Sequence, residues 1–245
     1  MSFTDDIAKR ILVLDGAMGS MLQTGMDAES ILRSYVDAGA DIITSDSFSA
    51  NGIAQAANGR ASEAAAMAYE AAALARKVAD EAGRNVYVAG SAGPTGASLT
   101  LASDADDTTY RKYSFENFRK SYSEQFEALI KGGADFILLE TCFDSLNVKA
   151  AGKALDDLGY GIPVVVSATV SDRSGRTLTG QTLEAFFTSV KFIPGHDGNA
   201  EIIFPGAPTG LWETEAPEGL TVSSACENGD SRAASSNAAG SPLHR

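Results

Sequence analysis

The twenty residues from Phe136 to Leu155, FILLETCFDSLNVKAAGKAL, constrain this chain more than any other stretch. Phe136, Ile137, Leu138 and Leu139 form an unbroken apolar run, the pattern of a strand covered on both faces as in a parallel sheet. A segment of helical period follows within a few residues, so strand, corner and helix belong to one β-α unit. Glu140 stands where the apolar run stops. A carboxylate at the C-terminal end of a parallel strand lies on the face where α/β proteins place their ligand sites. The plainer reading is that Glu140 only solvates the strand end, and these residues alone leave both readings open.

The same alternation runs through most of the chain. Ile11 to Leu14 predicts a first buried strand, followed by the turn Asp15-Gly-Ala-Met-Gly-Ser20, in which Gly16 and Gly19 let backbone approach a ligand. Ser30 is expected to cap a helix that reaches Asp37 and stops at Gly39. Asp41 to Phe48 predicts a second strand whose end carries Ser45, Asp46 and Ser47, either site residues or loop caps. Ala61 to Ala82 predicts a long helix with Met67, Ala71, Leu74 and Val78 as its apolar stripe. Val86 to Gly90 is the third strand, and Ser91 to Thr109 is a long polar loop. Its Asp104, Asp106 and Asp107 lack the glycine and glutamate of a calcium loop and read as solvated charges.

Phe118, Tyr122, Phe126 and Leu129 place a helix over Phe115 to Lys131, and Gly132-Gly133 leads into the central strand. Pro163 to Thr169 predicts a fifth strand, and Thr182 to Val190 a helix after the turn Asp172 to Gly175. Five β-α units with right-handed crossovers predict an α/β architecture. Polar residues at successive strand ends favour a partial (βα)8 TIM-type barrel over an open doubly wound sheet. No strand is followed by the G-x-G-x-x-G turn of dinucleotide sites.

Composition narrows the partners. A chain of 245 residues, 44% hydrophobic, suffices for one sizeable core. A net charge of −13 without a basic cluster argues against nucleic acid or an anionic membrane. No apolar run reaches membrane-spanning length and the N-terminus lacks the order of a secretory signal, so a cytoplasmic protein is expected. Cys142 and Cys226 are the two cysteines, far apart and without metal-type spacing, which fits a reducing compartment. From Lys191 the character changes: the segment to Arg245 holds five of the seven prolines, Trp212, His196 and His244. Beyond Ile202 to Phe204 it shows no apolar pattern, and Ser223 to His244 reads as disordered. The expected organisation is a barrel portion over 1–190 and an irregular or disordered tail over 191–245.

The segments LVLDGAMGSMLQ, YVDAGADIITSDSFSANGIAQA, AGSAGPTGAS, LLETCFDSLNVKAA and SATVSDRSGRTLTGQTLEAFFTSV occur in that order. Together, from about Ile11 to Val190, they resemble the homocysteine S-methyltransferase family, closest to the N-terminal homocysteine-binding module of its cobalamin-dependent methionine synthase branch. The resemblance implies that Asp15 and Glu140 hold the amino group of homocysteine and that the backbone of the Gly19-Ser20 turn receives its carboxylate. It also implies a zinc ion on three cysteines, with cobalamin and methyltetrahydrofolate carried on other modules. The chain departs from the family pattern in a short connection between Gly25 and Ser30 and in everything after Val190, where the family's cysteine ligands are missing. The tail reads either as a natural divergent segment or, preferred on its composition and the lost register, as the product of a frame shift near Val190 that leaves the family's barrel truncated.

Two function classes follow. One is a homocysteine S-methyltransferase, catalytically incomplete as written, with no catalytic residue and no metal ligand assigned. The other is a non-catalytic amino-acid-binding fragment or remnant. An unclosed barrel further implies self-association through exposed sheet edges.

Overall fold

A computed structural model describes residues 2–170 and 174–191, together with the backbone of 201–205, 223–225 and 234–235. The chain opens with three helices, α1 (Phe3–Ile7), α2 (Met18–Leu22) and α3 (Ala28–Asp37), and then alternates. Strand β1 (Ile42–Thr44) precedes α4 (Gly52–Ala56) and α5 (Ala64–Asp80); β2 (Tyr87–Ala92) precedes α6 (Phe115–Lys131). Then come β3 (Phe136–Cys142), α7 (Ser145–Leu158), β4 (Val164–Ala168) and α8 (Leu183–Val190). The strands β5 (Glu201–Pro205), β6 (Ser223–Ala225) and β7 (Ala234–Ser235) follow. β1 to β4 pair in parallel in chain order, and β5 extends them in parallel on β4. The result is an α/β fold that follows a barrel of this type part of the way round.

The two-residue period of each strand divides the core in two. Ile42, Tyr87, Ala89, Phe136, Leu138 and Val165 share one buried cluster with Leu12 and Phe3. The alternate residues, Ile43 and Val88 on one side and Ile137, Leu139, Val164 and Val166 on the other, pack against the helices. The first set lines the concave interior of the sheet. Continuing its period by one step brings up Thr44, Ser91, Glu140 and Ser167, so the interior changes from apolar to polar at the C-terminal strand ends.

The helix α1, which the sequence reading did not foresee, closes the opposite end. Its N-terminus is held by a capping box of Ser2 and Asp5. Phe3 stacks on Phe136 at 4.0 Å and meets Tyr87 edge-on at 5.5 Å. Tyr87 Oη donates to Asp6 Oδ2 at 3.2 Å, which ties the helix to β2.

Several expectations need correction. Ile11 to Leu14 is not a buried strand: Leu14 makes one parallel bridge to Ile42, and Ile11 and Leu14 are 47% and 41% exposed. Val13 O accepts from Asp41 N and Ile42 N and Val13 N donates to Asp41 Oδ2, so the segment is bonded on its β1 side. The cap of α3 is Asp27 rather than Ser30, with Ser30 N donating to Asp27 Oδ1 at 2.9 Å. The buried face of α5 is Ala64, Ala68, Ala72, Ala75, Val78 and Ala79, while Met67, Ala71 and Leu74 sit half-buried beside it. A small side chain is needed at Ala72 because Gly132, at the end of α6, lies so near that a Cβ on it would stand 2.7 Å from Ala72 Cβ and Tyr69 O. By contrast α6 matches its predicted span, with Phe118, Tyr122, Phe126 and Leu129 buried.

The run Ile202 to Phe204 lies within β5, and most of the expected disordered tail falls outside the described residues. Among the described residues no helix is long and apolar enough to cross a membrane.

Phe3→Ala should destabilise the chain by about 3 kcal/mol, because it empties a site against Phe136 and Tyr87. Denaturant unfolding followed by circular dichroism checks this; an unchanged midpoint would show that α1 does not close the barrel floor.

Candidate functional site

The polar interior layer gathers at the ends of β1, β2, β3 and β4. Asp15 follows the Leu14 bridge, and its backbone N donates to Ile42 O at 2.9 Å. Its carboxylate turns onto β1, where Thr44 Oγ1 donates to Oδ1 at 2.6 Å and Thr44 N to Oδ2 at 2.7 Å. On the other side of the layer Ser91 Oγ donates to Glu140 Oε1. Each carboxylate is thus presented by a hydroxyl from a neighbouring strand.

Burial pushes the Asp15 carboxyl up to about 6; the Thr44 bonds oppose this and the Glu140 charge adds to it. Burial also raises Glu140, against the Ser91 bond. Among the described residues no lysine or arginine acts on either group. Two half-buried carboxylates within each other's field, without a cation, form a site that a positive charge would relieve.

Glu140 is aimed by an irregularity. The β3–β4 register runs Leu139 to Val166 and resumes at Cys142 to Ala168, so Glu140 and Thr141 together face Ser167. This two-against-one spacing is a bulge. Thr141 carries it at φ 59°, a left-handed backbone that a β-branched residue adopts only under strain.

The other candidates separate cleanly. Gly19 and Ser20 are exposed in the first turn of α2, whose cap residue Ala17 offers no side-chain bond, so these amides have no side-chain acceptor. A Cβ on Gly16 would stand 2.8 Å from Tyr35 Oη, so this glycine admits Tyr35; one on Gly19 would meet nothing within 4 Å. Ser45 and Ser47 are structural: their hydroxyls lie 2.7 Å apart, Ser47 Oγ donates to Ser91 O at 2.8 Å, and Ser91 N donates to Ser45 Oγ at 3.1 Å. Asp46 is exposed beside them. Asp104 and Asp107 accept from backbone N two residues on, at 2.8 and 2.9 Å, as loop turns do.

Asp144 and Asn147 were not singled out from the sequence, yet they hold the loop after β2. Asp144 caps α7 through Leu146 N at 2.9 Å and accepts from Ser98 Oγ at 2.5 Å, Thr100 N at 3.0 Å and Thr100 Oγ1 at 2.8 Å. Asn147 accepts from Leu99 N at 3.0 Å and donates to Ala97 O at 2.9 Å. Burial pushes the Asp144 carboxyl up, but these hydrogen bonds together hold it below its ordinary value. A D-x-x-N pair opening a helix was the available signal.

Zinc does not fit the described residues, among which no cluster of three histidine, cysteine, aspartate or glutamate side chains could hold a metal ion. The Cys142 thiol donates to Leu139 O at 3.5 Å, and burial together with the Glu140 charge pushes it well above the usual thiol range. Cys226 lies outside the described residues.

A family model described as homocysteine S-methyltransferase matches residues 12–198. Solved structures of the homocysteine methyltransferase MmuM from Escherichia coli have the same fold. The oxidised form has a TM-score of 0.64 at 24% identity, over 81% of this chain and 75% of that one. The metallated form has a TM-score of 0.65 at 21% identity, over 82% and 76%. The apo form gives 0.59 at 21% identity, over 83% and 74%.

Asp144→Ala should cost about 3 kcal/mol and open the loop at 97–101 to limited proteolysis, since it removes a helix cap and three loop bonds. The sign with pH is fixed: a depressed folded pKa gives stability that is complete above the ordinary carboxylate range and is lost as pH falls through the folded value. The difference between parent and variant in denaturant unfolding should therefore shrink below about pH 4. A difference independent of pH would mean that the charge of Asp144 is not what holds the loop.

Proposed function

The chain belongs to the homocysteine S-methyltransferase family, and we propose that its residues 1–190 form the amino-acid-binding portion of a homocysteine module of the methionine synthase type. The observation that carries this reading is the pair of uncompensated carboxylates, Asp15 and Glu140, at the C-terminal strand ends. An ammonium group between them relieves both desolvation and mutual repulsion. The free first-turn amides around Gly19 and Ser20 suit the carboxylate of the same zwitterion. Homocysteine meets these demands at its amino-acid end.

In this reading the chain as written binds without turnover. A thiol must become a thiolate to accept a methyl group, and nothing identified in the described residues stabilises that anion. With only two cysteines in the chain, a three-thiolate zinc site cannot be assembled. The exposed flank at Ile11 and Leu14 supports self-association along the open sheet edge.

Glu140→Gln should weaken homocysteine binding about tenfold or more by calorimetry while leaving far-ultraviolet circular dichroism unchanged. Affinity should rise with pH through about 6, where Asp15 loses its proton and the ligand is still an ammonium. Equal affinities for parent and variant would remove Glu140 from the site, and a flat profile from pH 5 to 7.5 would remove Asp15.

Purified protein should contain far less than stoichiometric zinc and form no methionine from homocysteine and methylcobalamin. Stoichiometric zinc with chelator-sensitive methionine formation would overturn the non-catalytic reading and direct attention to Cys226.

A further inference from the structure

Of the three hydroxyls in the polar interior layer, two are committed. Thr44 donates to Asp15 and Ser91 donates to Glu140. The third, on Ser167, is 2% exposed and has no hydrogen-bond partner among the described residues. Leaving a buried hydroxyl unpaired is costly, and such groups in folded proteins call for an explanation.

Its position supplies one. Ser167 shares the interior face of β4 with Val165, which packs in the cluster of Phe136 and Leu138, whereas Val166 and Ala168 face the helices. Across the bulge it stands opposite Glu140 and Thr141. The bulge therefore sets a carboxylate and an idle hydroxyl opposite each other on adjacent strands, with Asp15 within the field of the Glu140 charge. An α-ammonium has three N–H donors and no acceptor. Two carboxylates provide for two of these donors and leave one.

We propose that Ser167 Oγ is the third acceptor for the ligand's α-ammonium, completing a three-point cradle with Asp15 and Glu140. The inference rests on the reading of this site as an amino-acid site. It adds a specificity that two carboxylates alone do not give: the cradle selects a primary ammonium, because each N–H has its own acceptor and an alkyl group on nitrogen displaces one of them.

Calorimetry on the full chain tests it, with L-homocysteine and its des-amino analogue 4-sulfanylbutanoate as probes. Ser167→Ala should bind L-homocysteine about three- to tenfold more weakly, the loss expected for one uncharged acceptor. Its affinity for 4-sulfanylbutanoate should equal that of the parent. The thermal midpoint should not fall, since no bond within the protein is removed. Ser167→Cys, which keeps the side-chain shape with a weaker acceptor, should show the same ligand-selective loss. Unchanged homocysteine affinity in both variants, with Glu140→Gln still weakening it, would overturn the role of Ser167 and leave the amino-acid site standing. An equal loss for both probes would overturn it as well, since the hydroxyl would then act through packing. If Glu140→Gln and the Ser167 variants all bind like the parent, the reading of the site fails with the inference.

Discussion

Two half-buried carboxylates held within each other's field are the constraint around which the rest of the molecule is arranged. Taking a carboxylate out of water raises its pKa, and placing a second one nearby raises it further. The protein limits that cost without cancelling it. Thr44 gives Asp15 two hydrogen bonds and Ser91 gives Glu140 one, yet burial outweighs these bonds in both groups. A lysine in the layer would have satisfied both acids and left the site inert. Without one the pair of acids keeps a standing preference for a cation, which is the basis of the proposed amino-acid site.

Holding that arrangement falls to parts that never touch a ligand. The β3–β4 bulge aims Glu140 and is maintained with Thr141 in a left-handed backbone conformation, a strain that only well-packed surroundings sustain. Those surroundings are supplied on one face by Ile137, Leu139, Val164 and Val166 against the helices, and on the other by Phe136 and Leu138 over Phe3. Asp144 and Asn147, a few residues on, tie the loop that leaves Ser91. The serine that presents Glu140 is therefore steadied from β3's own continuation. One segment, Phe136 to Asn147, supplies the acid, its aim and the anchor for its partner's loop.

Much of this was legible in the residues. The apolar run ending at Glu140 marked a covered strand and the place where its burial stops, and the spacing of Phe118, Tyr122, Phe126 and Leu129 located α6. What periodicity could not show was depth of packing. In α5 the large residues Met67 and Leu74 looked like the core stripe, but the alanines form the buried face, and at Ala72 Gly132 comes too close for anything larger. Ile11 to Leu14 has the composition of a buried strand and makes a single bridge, because burial depends on neighbours that lie far along the chain. α1 escaped notice because five residues carry too little pattern, and its packing is read only from Phe3 on Phe136. Ser167 was equally invisible: a serine in a valine run signals nothing until its face is known and its lack of a partner among the described residues is seen.

The same electrostatics that suit an ammonium work against a thiolate. Cys142 demonstrates this within the molecule: its thiol sits beside the site, and burial together with the Glu140 charge drives its pKa up, so that it stays protonated. A substrate thiol brought near the same two carboxylates meets the same field, and its anion is disfavoured for the same reason. A methyl acceptor of this kind therefore needs its sulfur end carried away from Asp15 and Glu140, towards a positive charge that offsets them. The four-carbon chain of an amino acid such as homocysteine separates the two ends and makes that division possible. Holding an ammonium and activating a thiol are thus tasks of opposite electrostatic sign, and the field of Asp15 and Glu140 suits the first.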